Sequence, residues 1–363
     1  MAGPARTARR SSASAAAAAA AVSPPPPPTT TIPGDLTSSS SSPWHDALAA
    51  YRARGAGNLF AAWALAAAFF LGIVPLALDA ARWDALVACF PSRLYAFIGI
   101  IWCANLLPTL LGNVAFAALY CGDFACAERH RISALPWPWR AREPEKRAAF
   151  WRLLRRSLGV VALNLAFLPV MLSVPYLLHA DHLGAFSLRG ADLPTLPLLL
   201  LQLAFCTACE DIVFYAVHRA LHDSRIYAPV HKLHHEWTAP IVLASEHAHV
   251  LEFVVSNGLP VLAGPLLLRS HTLTYAIFVV TRVATSVDNH CGYAFPWSPC
   301  RLLPFGTTAE SHDFHHARGI DAAFASQFAL FDVLCGTLGS FPSWRRARTA
   351  ATLARVSEES GAK

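Results

Sequence analysis

The sequence predicts an all-α, polytopic membrane helical bundle with a histidine-rich cap. Three observations predict it. Only 14% of the residues are charged against 55% hydrophobic, with a mean hydropathy of +0.39, whereas a soluble domain carries about 25% charged residues. Apolar stretches close to the roughly 20 residues of a bilayer span recur along the chain. Three tight histidine boxes then crowd its second half.

The spans come in order. Apolar stretches at 59–78, 94–120, 157–179 and 194–216 predict about four transmembrane helices. A further apolar pair at 250–268 and 272–287 is short and contains Pro260, Gly264 and Pro265, which predicts a short or re-entrant hairpin. Short cytoplasmic loops are enriched in Lys and Arg. The connection between the second and third spans holds Arg129, Arg131, Arg140, Arg142, Lys146, Arg147, Arg152, Arg155 and Arg156, while the opposite-side connections hold Arg82, Arg189 and Arg269. The basic loop is therefore assigned to the cytoplasm. Two more spans return the chain to that side before the first box, and the hairpin leaves and comes back. All the boxes then face the cytosol, and the net charge of +6 is explained without a nucleic-acid partner.

The chain divides into four regions: a low-complexity tail at 1–43, membrane spans with the basic loop at 44–200, a catalytic region at 201–340, and a basic tail at 341–363. The first tail holds an Ala run, Pro24 to Pro28 and a Ser run. Such composition builds no core and predicts disorder. Its arginines and lack of early acids also resemble an organelle-targeting segment. The nine cysteines are scattered. Cys206 and Cys209 have C-x-x-C spacing in apolar surroundings, which reads as small buried residues.

The boxes are His218 with His222, then His231, His234 and His235, then His312, His315 and His316; His249 and His290 lie between them. Residues three or four apart on a helix share a face, so His218 and His222 should aim together, as should His231 with both His234 and His235. Neutral imidazole is a common ligand for borderline metals, and one structural ion takes four ligands. Ten histidines therefore point to two metals. Imidazole sets suit iron, zinc, copper or nickel; open positions on iron serve oxygen activation, whereas zinc has no redox chemistry. A metal centre at the mouth of a membrane bundle points to a lipid substrate. Asp211, Glu246 and Asp313, with Glu252 beside them, are candidates to orient the imidazoles from behind.

The stretch from Glu210 to about Gly336 resembles the fatty acid hydroxylase superfamily of membrane di-iron oxygenases, and within it the 4-methylsterol oxidases. The resemblance is carried by Glu210 to Tyr215, by His234-His235-Glu236-Trp237-Thr238-Ala239-Pro240, by Glu246 to His249 with Glu252, by Asp288 to Tyr293, by Ala309 to His316, and by Asp332 with Gly336-Thr337. His247 stands where that family has tyrosine, Val250 where it has proline, and Ala294 where it has a polar residue. The resemblance implies two iron ions held by His218, His222, His231, His234, His235, His249, His290, His312, His315 and His316, with no separate catalytic acid or base. It implies oxidation of a C-4 methyl group of a sterol precursor, using O2 and electrons from NAD(P)H delivered by cytochrome b5 and its reductase at the endoplasmic-reticulum membrane. Two other readings stand beside it: a hydroxylase or desaturase of another sterol or fatty acyl lipid, and a non-catalytic zinc-binding membrane protein.

Overall fold

The structure, a computed structural model, describes residues 42–133, 136–318 and 322–348. Most of the N-terminal tail (1–41) and the end of the C-terminal tail (349–363) lie outside the described residues. Helix makes up 73% and there is no strand among the described residues, so the bundle is all-α.

Short α1 (Pro43–Arg52) opens with Pro43 at its first position, where a missing N–H costs nothing. The first apolar helix runs as α2 (Ala56–Ala67), one wide turn at Ala68–Ile73, and α3 (Val74–Ala77). Together they form a 22-residue span, about 33 Å at 1.5 Å per residue. The Asp79 carboxylate caps α4 (Ala80–Ala88) by accepting from Arg82 N at 2.8 Å. Then α5 (Arg93–Gly122) crosses with Pro108 in its interior, and α6 (Ala125–Glu128) turns the chain toward the basic segment. Next, α7 (Pro144–Leu183) is 40 residues long and ends at Gly184 in the left-handed region. Leu196–Leu221 form α8, followed by the single turn α9 (Ser224–Tyr227).

The second box adopts a 3-10 turn at His231–Glu236, and another covers Val242–Glu246. The predicted hairpin is α10 (Val250–Glu252), a wide turn at Phe253–Gly258, and α11 (Leu259–Leu267), followed by α12 (Thr272–His290). Then come α13 (Ala309–Arg318) and α14 (Leu330–Leu334), and the described residues end in helix at 341–348. Five helices are long and apolar enough to cross a membrane: Ala56–Ala77, Arg93–Gly122, Pro144–Leu178, Leu196–Leu221 and Val250–Leu267. The protein is a multi-pass membrane protein, and the first arm of the expected hairpin is one of those five. The second arm, α12, is not, because its later turns carry Arg282, Asp288 and Asn289.

Outward faces keep large apolar residues exposed, such as Phe60, Leu111, Leu201 and Leu267. Bare apolar area on this scale needs a lipid partner. Inside, α12 packs on α5, and α8 packs on α11. The latter pair meets at Gly264, where an added Cβ would stand 2.6 Å from Cys206 Cα. Such contact of small residues lets membrane helices approach closely. Cys206 is buried and all nine cysteines are free thiols. The basic segment folds back as it leaves α6: Ile132 N donates to Gly292 O at 2.9 Å, and Tyr293 Oη donates to Glu128 Oε1 at 2.7 Å.

Candidate metal centre

The cap gathers nine of the ten candidate histidines into two adjoining groups. His218, His222, His231, His235 and His315 form one; His234, His290, His312 and His316 form the other, and within each group the nitrogens lie within 4.8 Å of one another. Each box is divided by its local geometry. On α13, His312 and His316 are four residues apart and share a face, while His315 turns to the first group. In the second box the expected common aim of His231 and His234 is corrected. The 3-10 turn stacks their rings at 5.6 Å, but their nitrogens join different groups. Three residues per turn brings His231 and His234 over one another, so their rings share a side of the turn while their nitrogens reach into different groups. The groups abut: the His234 and His316 rings are 4.6 Å apart, and those of His235 and His316 4.8 Å.

Five of the nine rings are held from behind through Nδ1. Carbonyl oxygens face Nδ1 of His218 (Phe324 O, 2.8 Å), His315 (Ala322 O, 2.8 Å), His290 (Ser286 O, 2.8 Å) and His234 (His247 O, 3.2 Å). A carbonyl only accepts, so each Nδ1 carries the proton and each Nε2 turns its lone pair inward. The same holds for His231, whose Nδ1 lies 2.8 Å from Glu252 Oε1. His231 Nε2 lies 3.0 Å from Nε2 of both His222 and His235. His290 Nε2 lies 2.8 Å from His312 Nε2, which lies 3.1 Å from His316 Nε2. Such close clusters of imidazole nitrogens have few protons to share, and His315 Nε2 is buried with no hydrogen-bond partner among the described residues. Nitrogens bound about 2.1 Å from one ion stand roughly 3.0–3.4 Å apart, so both groups fit a metal ion.

The protonation states agree with that fit. Burial pushes His222 down to about 3, and His290 and His315 to about 4. Burial, helped by neighbouring imidazoles, holds His231, His234, His235, His312 and His316 well below the ordinary histidine value. These imidazoles are neutral at pH 7, the form that ligates metals.

His249 joins neither group. Its Nδ1 accepts from Leu251 N at 3.2 Å and caps α10. Asp211 accepts from Gln327 N (2.9 Å) and Phe328 N (3.2 Å), tying the loop after α13 to α8 rather than touching an imidazole. Asp313 is buried on α13, and that burial raises its carboxyl to about 7. Glu246 lines an apolar cavity beside the centre. Of the four acids read from the sequence, Glu252 is the one that meets a clustered imidazole. Asp332 was legible only as part of the closing Asp332 and Gly336-Thr337 motif. Its carboxylate accepts from Phe324 N (3.0 Å), Ala325 N (2.9 Å) and Thr337 Oγ1 (2.7 Å), and so fixes the loop whose carbonyls orient His218 and His315. The supporting carbonyls themselves carry no side-chain signal.

The family model described as fatty acid hydroxylase matches residues 203–337. The chain is 36% identical over 186 residues to a Dictyostelium discoideum protein with the provisional name methylsterol monooxygenase, covering 51% of this chain and 69% of that one. It is 38% identical over 192 residues to a very-long-chain aldehyde decarbonylase of Oryza sativa subsp. indica, covering 51% of this chain and 67% of that one. The chain belongs to the fatty acid hydroxylase family. Methylsterol monooxygenase 1-1 of Arabidopsis thaliana is 39% identical over 150 residues, 41% of this chain and 50% of the relative. The chain spans between half and about two thirds of the length of such relatives. No solved structure matches it. The family match begins within α8 and ends at Thr337, so it takes in every histidine of both groups and the Asp332 loop.

Proposed function

We propose that the chain is a membrane oxidoreductase of the di-iron oxygenase type, oxidising a C-4 methyl group of a sterol precursor with O2. The observation that carries this reading is the pair of adjoining, inward-facing imidazole groups, five and four nitrogens strong. His218, His222, His231, His235 and His315 would hold one iron, and His234, His290, His312 and His316 the other. His249 is left as a ligand only if the loop carrying it moves. Bound iron would supply the redox chemistry with O2 that zinc lacks. The chain's own residues do the rest. Glu252 and the carbonyls of Ala322, Phe324, His247 and Ser286 fix five of the nine rings: His231, His315, His218, His234 and His290.

The substrate reading leans on relatives named methylsterol monooxygenase. Electrons would come from NAD(P)H through cytochrome b5 and its reductase. The basic segment of 129–156 would face the cytosol of an endoplasmic-reticulum membrane and receive that donor beside membrane lipid headgroups. Two measurements test the proposal. Metal analysis of purified, active protein should give about two irons per chain; zinc alone in active protein refutes it. Expression in cells lacking 4-methylsterol oxidase should clear accumulated 4,4-dimethylsterols, whereas the His315→Ala variant should insert normally and clear none. Persistence of those sterols despite good expression of the unmutated chain would remove the C-4 assignment.

A further inference from the structure

A second set of rings is joined to the backbone of the centre and supplies none of its ligands. Tyr120 of α5 donates through Oη to Cys291 O at 2.9 Å, and Cys291 is the residue after His290. The Tyr120 and Tyr293 rings are stacked, with centroids 5.9 Å apart and planes 10° off parallel. Two arms leave that pair. One runs through Phe295 to Trp297, each step stacked at 5.2 Å. The other runs from Tyr120 to Trp137 at 4.9 Å, and on to Trp139, stacked at 4.9 Å. Tyr120, Trp137 and Tyr293 are buried, whereas Trp139 and Trp297 are only half-buried. The rings therefore lead from the chain beside a clustered histidine to two points that solvent reaches.

Packing alone accounts for aromatic rings in a core, but two features go further. All of these rings except Phe295 belong to Tyr or Trp, the aromatic side chains that give up an electron most readily. A carboxylate also stands where oxidised rings would release protons. Glu128 Oε1 accepts from Tyr293 Oη at 2.7 Å and from Trp137 Nε1 at 3.3 Å. Burial, followed by that contact with Glu128, pushes the Tyr293 phenol above its ordinary value, so the resting ring is neutral. A phenol that loses an electron becomes strongly acidic, and a base within hydrogen-bond reach takes its proton at once. The family match covers residues 203–337, so Tyr120, Glu128, Trp137 and Trp139 lie outside it.

Resting on the reading of the centre as one that oxidises with O2, we propose that these rings are an escape path for oxidising equivalents, discharging the centre when no substrate is in place. An electron leaves Tyr293 through Tyr120 and the Cys291 carbonyl toward the oxidised centre. The phenolic proton passes to Glu128, leaving a neutral tyrosyl radical. Trp297 returns an electron through Phe295, and Glu128 returns the proton. A small soluble thiolate then refills Trp297 and departs as a thiyl radical. In balance the centre gains one electron, the thiolate loses one, and no ring is changed.

Two oxidants test this on the purified full chain in lipid nanodiscs, entering the path from opposite ends. In the first arm, iron-loaded protein is chemically reduced, mixed with O2 without substrate and frozen at increasing times for electron paramagnetic resonance. In the second, metal-free protein is oxidised from the surface by a flash-excited soluble ruthenium polypyridyl complex. Both should give a tyrosyl radical whose spectrum narrows when the protein is made with ring-deuterated tyrosine, a test that needs no variant. Tyr293→Phe should abolish the radical, whereas Tyr95→Phe, on an exposed ring, should leave it. Glu128→Gln still accepts the hydrogen bond but is a poor base, and should slow radical formation about a hundredfold, the low end of what a positioned proton acceptor contributes. A radical undiminished in Tyr293→Phe overturns the inference, as does an unchanged rate in Glu128→Gln. A Tyr293 radical on the flash but none with O2 would support the path and defeat the di-iron reading. Iron in the chain with no tyrosyl radical by either route would do the reverse.

Discussion

Replacing Glu252 with leucine should strip one metal position and leave the other. Glu252 Oε1 lies 2.8 Å from His231 Nδ1, with the two side chains 5% and 1% exposed. Leucine keeps the bulk but removes the acceptor, so the Nδ1–H of His231 is buried with no partner. That costs about 1–3 kcal/mol, and about 1.4 kcal/mol is a factor of ten in affinity. The ring is also freed to rotate its Nε2 away from His222 and His235. A loss of 10–100-fold in metal affinity is the usual result of removing such a support. The effect should be confined to the five-histidine group, because the four-histidine group is braced by Ser286 O and His247 O instead. Dialysis against graded chelator, followed by metal analysis, should show the variant holding about one iron per chain where the unmutated protein holds two. Glu252→Gln, which retains an oxygen acceptor, should fall between them. If Glu252→Leu releases both metals together, or neither, at the chelator strength that leaves the unmutated protein loaded, the division of ligands described above is wrong.

Three further outcomes follow from the same geometry. His249→Ala should leave the metal content unchanged and cost only the cap of α10, about 1 kcal/mol, measured as a small drop in thermal midpoint; loss of a metal would restore His249 to the ligand set. Asp332→Ala removes an acceptor of three hydrogen bonds from the loop that orients His218 and His315, and should lower stability by about 3 kcal/mol and weaken the five-histidine group. Retained stability with full metal content would refute that role. The metal-free protein should lose stability as pH falls. His222, His290 and His315 have folded values of about 3 to 4, below the unfolded value of about 6.5. The unfolded chain therefore binds more protons in that window. Stability is full above about pH 6.5 and declines below it, by up to about 1.4 kcal/mol per pH unit for each such imidazole. Thermal midpoints of metal-free protein between pH 8 and 5 check this, and a flat profile would contradict it.

The spans were legible because hydropathy is local: each apolar run read from the sequence lies within or close to a helix observed there. The boxes were legible because imidazoles at short spacing have few other uses. What spacing could not supply was the division of neighbouring rings between two groups. By spacing, His231, His234 and His235 share a face, yet in the 3-10 turn the His234 nitrogens join the other group although its ring stacks on that of His231. Nor could it supply the orienting carbonyls, since Ala322, Phe324, His247 and Ser286 act through backbone oxygens that any residue type provides. His249 matches the family's pattern by position, yet its imidazole is turned to a helix cap.

The division of the boxes carries a consequence for how the centre holds together. His234 and His235 are neighbours in sequence and belong to different groups, and so are His315 and His316. One peptide bond on each element thus links the two positions. A shift of either element displaces a ligand of both groups at once, so neither group can adjust independently to a change in that backbone. The supports differ in the opposite sense: Glu252 and the Ala322–Phe324 loop brace the five-histidine group, while Ser286 O and His247 O brace the other. Backbone perturbations should therefore affect the two positions together, and substitutions behind a single ring should separate them. A centre whose ligands are shared by backbone but whose supports are private can hold two ions at a fixed separation while each keeps its own affinity. That is the property a paired-metal reaction requires.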